Sequence, residues 1–166
     1  MAVVKTTLVI AAPLCAVALL MVAVGYALPV AHVASQTATF PRAPQRVFDA
    51  LVDVESYPKW RSDVKRVEVV SQGPPKRWRE SGSDDITFET VEVEPPTRLV
   101  VRIADENLPF GGAWTYELVP EGGGTRLTIT ERGEVYNPVF RFMSRFVFGH
   151  TATIEKFLGD LKKHLA

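Results

Sequence analysis

Three side chains in this sequence have the chemistry to carry protons from an apolar setting: His150, Glu131 and Tyr116. His150 is the one polar member of a stripe formed by Val139, Met143, Phe146, Ile154, Phe157, Leu161 and Leu165, which recur at steps of three or four. Glu131 shares strand parity with Leu127 and Ile129, so it is directed with them into an apolar space. Desolvation there would raise its pKa and suit it to acid or base work. Tyr116 alternates with Trp114 and Leu118 and adds a hydroxyl to the set. If the three met around a substrate, general acid–base catalysis would be their chemistry. Each also has a plainer reading. A core histidine bonded to a strand, a carboxylate paired with Arg132 or Arg79, and an aromatic ring packed in a core are all commoner than active-site groups.

Other chemistries lack their residues. A lone cysteine, Cys15, allows no intrachain disulfide, and with three scattered histidines it leaves no Cys/His zinc site, so no metal and no cofactor is expected. There is no Gly-x-Ser-x-Gly elbow, P-loop or dinucleotide fingerprint. Gly122-Gly123-Gly124 lies between two strand patterns and reads as a hairpin. Lys and Arg number 19, as do Asp and Glu, giving zero formal charge and no basic footprint for nucleic acid.

The elements that must hold these groups are legible in order. Residues 137–166 read as one long helix, about 45 Å at 1.5 Å per residue, with Asn137 as its cap and Pro138 at its first position. Lys162, Lys163 and His164 oppose the dipole in its last turn. Arg141 and Arg145 fall on its wet side, with Phe148 beside them as a contact for headgroups or a partner protein. Upstream, 34–40, 64–70, 77–81, 86–94, 98–105, 113–119 and 126–135 alternate between Gly/Pro-rich turns and read as seven antiparallel strands. Two short helices follow the first strand, one over 45–52 and one ended by Pro58 and closed by Trp60. The loop 106–112 places Leu108 and Phe110 beside glycines and is a candidate lid.

Residues 8–30 contain no charge and would span about 34 Å as a helix, enough for a bilayer core of roughly 30 Å. The segment 1–33 therefore reads as an uncleaved membrane anchor in preference to a signal peptide, whose apolar run is shorter. Lys5 and the amino terminus place the N-terminus in the cytoplasm, with residues 34–166 as an extracytoplasmic domain of a single-pass protein.

The arrangement of strand, two short helices, six strands and a long helix resembles the helix-grip fold of the SRPBCC, or START-like, superfamily, and especially its polyketide cyclase/dehydrase and lipid-transport branch. The segments that carry the likeness are Ala43-Pro44-Gln45-Arg46-Val47-Phe48 leading to Asp53-Val54-Glu55-Ser56-Tyr57-Pro58-Lys59-Trp60, then Gly112-Ala113-Trp114-Thr115-Tyr116-Glu117-Leu118-Val119-Pro120, and Gly124-Thr125-Arg126-Leu127-Thr128-Ile129-Thr130-Glu131. The resemblance implies an α+β fold, a seven-stranded antiparallel sheet curled around the C-terminal helix, with an apolar cavity between them. Trp78, Phe88, Phe110, Trp114, Tyr116, Met143, Phe146 and His150 are then expected to contact a hydrophobic ligand such as a lipid, quinone or polyketide-like molecule. Binding is the function expected first, and cyclase or dehydrase activity through His150, Glu131 and Tyr116 second.

Overall fold

The computed structural model describes residues 2–166, with side chains described from Cys15 onward. Helix α1 (Ala2–Ala27) leads through only three residues into strand β1 (Ala31–Phe40), which begins three residues earlier than its alternation predicts. Helix α2 (Pro44–Val52), a 3₁₀ turn (Val54–Ser56) and helix α3 (Tyr57–Trp60) follow. Pro58 does not end the second short helix. It sits in the first turn of α3, where a missing N–H costs no hydrogen bond. Among the described residues no helix is long and apolar enough to cross a membrane. The expected span 8–30 includes positions 8–14, whose side chains lie outside the described residues.

The remaining strands are β2 (Arg66–Ser71), β3 (Arg77–Ser81), β4 (Asp85–Glu94), β5 (Arg98–Ile103), β6 (Phe110–Glu121) and β7 (Gly124–Val135). They form a meander, and β1 returns to pair with β7, giving the order β1-β7-β6-β5-β4-β3-β2 with every pair antiparallel. The second part of the expected lid is strand: Phe110 pairs with Val135, Gly111 with Glu134 and Gly112 with Gly133, while 106–109 form the bend before it. These glycines allow close packing against Tyr136 and the Arg132 carbonyl, and give no hinge.

The C-terminal region departs most from expectation. Asn137 does cap the helix, its Oδ1 accepting from the Val139 and Phe140 amides at 2.9 and 3.2 Å. The helix is not continuous. Helix α4 (Pro138–Met143) widens into a π turn (Ser144–Phe148), Gly149 breaks the path at φ 76° and ψ 157°, and helix α5 (Ala152–His164) starts afresh. The apolar stripe therefore splits. Ile154, Phe157, Leu161 and Leu165 are buried with Val47, Phe48, Leu51 and the inner face of the sheet, whereas Val139 and Phe146 are exposed. Arg141, expected on the wet side, is buried and donates to the carbonyls of Leu28 and Tyr136, both at 3.0 Å.

Gly149 occupies a backbone region that only glycine adopts without strain, and no atom stands within 4 Å of where a Cβ would be. Gly149→Ala is expected to cost about 1–3 kcal/mol from backbone strain alone, measured by denaturant unfolding.

Candidate functional site

Between the sheet and α4–α5 lies a cavity of about 660 Å³, within the size range of small-molecule sites. Its floor is a run of aromatic rings on the inner face of the sheet. Trp78 on β3 stacks on Phe88 of β4 with centroids 5.8 Å apart, and Phe88 meets Trp114 of β6 edge-on at 6.0 Å. Tyr116 follows on β6 and packs against Phe157 of α5 at 5.7 Å. Phe110, Met143 and His150 complete the set of expected contacts that line the space. Phe146 does not line it. The π turn carries it outward onto Phe142, with 59% of its surface exposed. Phe148 is also exposed, yet it does line the cavity, so its expected role on a separate outer face is corrected.

Two polar groups interrupt the apolar wall. At one, the buried Glu131 carboxylate accepts from Trp114 Nε1 at 3.0 Å and Thr153 Oγ1 at 3.2 Å, and its Oε1 lies 3.3 Å from His32 Nε2. Neither Arg132 nor Arg79 is its partner. The His32 ring stacks on that of His150, centroids 4.0 Å apart, and His150 Nδ1 lies 3.0 Å from Ser144 Oγ. Burial, helped by the charges of His32 and Arg145, holds the His150 imidazole below its ordinary pKa, so it is biased toward the neutral form.

At the other, Glu80 of β3 is buried, accepts from Trp78 Nε1 at 2.9 Å and pairs with Arg61 Nη1 at 2.9 Å. Burial pushes the Glu80 carboxyl up despite that cation. Arg61 also pairs with Asp63 at 2.7 Å and lies over the rings of Tyr57 and Phe157, 4.9 and 5.4 Å from their centroids. Its loop is fastened to α5 by Asp160, whose Oδ2 accepts from the Ser62 amide and hydroxyl at 2.9 and 2.6 Å. Burial raises the Tyr116 hydroxyl well above its ordinary pKa, so at neutral pH it can donate a hydrogen bond but is no phenolate base.

His150, Glu131 and Tyr116 thus all reach one cavity, and His150 and Glu131 are bridged by a residue that sequence reasoning missed. His32 falls before the expected start of the domain. Ser144 was one hydroxyl in a helical pattern, and Arg61 follows the second short helix with no pattern to mark it. Glu80 had a usable signal, since it shares strand parity with Trp78. Among the described residues no cluster of His, Cys, Asp and Glu has the arrangement of a metal site.

An antiparallel sheet wrapped against a C-terminal helix with an apolar cavity between them defines the helix-grip class. Within it, residues 31–166 match the family model described as polyketide cyclase/dehydrase and lipid transport, and the chain belongs to that family. Among solved structures, a START superfamily protein from Mycobacterium smegmatis superposes with a TM-score of 0.63 at 18% identity, covering 81% of this chain and 97% of that one. A protein from Thermus thermophilus gives 0.68 at 22% identity, with 81% and 97% covered. The di-domain ARO/CYC BexL from the BE-7585A biosynthetic pathway gives 0.69 at 12%, covering 82% of this chain and 50% of that one. These likenesses establish the fold alone. No curated protein matches the sequence.

In an NMR titration, the His150 imidazole is expected to show a midpoint below 6.5, moving upward in Arg145→Ala. A depressed folded-state pKa means that the unfolded chain binds this proton more tightly. The stability linked to His150 is therefore complete above pH 6.5 and is lost as pH falls through the folded midpoint.

Proposed function

We propose that this chain is a membrane-tethered binder of a hydrophobic small molecule, held between the sheet and the C-terminal helices. The observation that carries the reading is the cavity itself, about 660 Å³ and walled by aromatic and aliphatic side chains with a few polar groups at fixed positions. The family's own description includes lipid transport. The two polar groups favour a ligand with hydrogen-bonding ends on an apolar body, as in a quinone, a polyketide-like molecule or a fatty acid. The apolar run 8–30 motivates the tether, and Lys5 ahead of it motivates an extracytoplasmic domain. A tethered binder acts locally, holding or presenting its ligand at the bilayer surface.

A second reading is favoured by one arrangement. Glu131, His32, His150 and Ser144 form a line of proton-carrying groups on the cavity wall, within reach of an enclosed substrate. Cyclase or dehydrase activity on a polyketide-like substrate would use it, as the family name and the ARO/CYC neighbour suggest. Under that reading Glu131→Gln and His150→Ala should each lower turnover by roughly 10²-fold or more. Unchanged turnover of every accepted substrate would remove the reading.

The binding reading is tested by filling the cavity. Ile103 lines it at the end of β5, and Ile103→Trp is expected to weaken uptake of a fluorescent fatty acid by roughly tenfold or more with little loss of thermal stability. Native mass spectrometry of the full chain from its host membranes should show a stoichiometric apolar ligand. An empty protein that takes up no apolar probe would contradict the proposal.

A further inference from the structure

The cavity's mouth is faced with side chains that suit a bilayer better than water. Phe140 and Phe148 line the cavity and are nevertheless 49% and 65% exposed. Val147, beside the exposed Phe146 on the π turn, is 58% exposed, and neither of these two lines the cavity. Together they extend the patch outward from the mouth. For Phe146, Val147 and Phe148 the exposure has a local cause: after Met143 the chain leaves the α-helical path, so these three turn away from the core that holds Ile154, Phe157 and Leu161. A contiguous apolar surface of this kind marks a contact site.

The same segment is fastened to the end of α1. Gly25 lies directly against the backbone of Pro138, with no room for a Cβ, and Arg141 of α4 donates to the Leu28 carbonyl just beyond α1. Tyr26, exposed beside this junction, has the apolar ring and polar tip that favour a membrane–water boundary. Arg145, exposed within the patch, matches the negative charge of lipid phosphates. Where α1 meets the bilayer, the Phe140–Phe148 stretch meets it too.

We infer that residues 140–148 form a lip seated in the headgroup–acyl boundary, and that the cavity fills and empties through it from the lipid phase instead of from water. This rests on the binding reading above and specifies its ligand class: molecules dissolved in the membrane. The occupant of the apolar patch is the bilayer.

The test uses the full chain reconstituted in vesicles of phosphatidylcholine and phosphatidylglycerol. Uptake of a fluorescent fatty acid is followed by energy transfer from the tryptophans, two of which line the cavity. The double variant Phe146→Ser/Val147→Ser changes the lip without touching the cavity wall. It is expected to match the wild type in equilibrium uptake from detergent micelles, which also shows that it folds. Its rate of loading from a probe-containing bilayer should fall by roughly tenfold or more. Wild-type loading kinetics in the variant would overturn the lip while leaving the binding reading intact. Failure of the wild-type protein to take up probe from micelles or vesicles would overturn both.

Discussion

The break at Gly149 is the constraint on which the rest of the structure depends, because it fixes how much of the sheet the C-terminal helix can cover. Strands β6 and β7 are 12 residues each and so about 40 Å long at 3.3 Å per residue. Helix α5 has 13 residues and reaches only about 20 Å. It buries one half of the concave face, where Leu127, Ile129, Leu161 and Ile154 are almost fully enclosed. The π turn and Gly149 redirect the chain before α5, and the space left between the sheet and α4–α5 is the cavity.

An uncovered apolar face would collapse or wet unless its shape were held from several sides, and the buried charges do this. Arg61 ties Glu80 on β3 to Asp63 and lies on the rings of Tyr57 and Phe157, while Asp160 binds the same loop to α5. Breaking one partner of such a network leaves an uncompensated buried charge, which costs far more than the pair's net contribution to stability. Glu131 is held as firmly by Trp114, Thr153 and His32. Each carboxylate accepts from a tryptophan of the aromatic floor, so the floor's ring orientations and the positions of the two polar groups are set together. That coupling gives an otherwise greasy space two fixed points from which to orient a ligand.

Much of this was legible in the sequence, and what was not has a physical reason. All seven strands were found because period-two alternation between Gly and Pro turns has few competing explanations. Parity grouped Trp114 with Tyr116, Trp78 with Glu80 and Glu131 with Ile129 on common strand faces, but which face looks inward is set by the curl of the sheet and not by alternation. The break in the final helix was hidden because a single glycine is tolerated within a helix, and Phe146, Val147 and Phe148 continue an apolar composition through it. Composition cannot report that these residues face outward; only the backbone path does. His32 escaped because pairing of β1 with β7, a contact spanning about a hundred positions, brings it to Glu131, and no local pattern encodes such a distance. Arg61 escaped because an arginine after a turn is usually a surface residue, and only its ring contacts reveal otherwise.

The junction of α1 with α4 links the N-terminal helix to the wall of the cavity in one physical unit. Arg141 brings its guanidinium out of water to satisfy two backbone carbonyls from different elements, one past the end of α1 and one before α4, and its Nε has no partner among the described residues. A buried arginine without a carboxylate is an expensive way to join two segments. Carbonyls at a helix end need donors, however, and a cation is the strongest donor available at the negative end of a helix dipole. The consequence is positional. Any displacement of α1 relative to the sheet must either move α4 with it or strip the Leu28 carbonyl of its donor. Because α4 carries Phe140 and Met143 to the cavity wall, the mouth and the end of α1 move as one body.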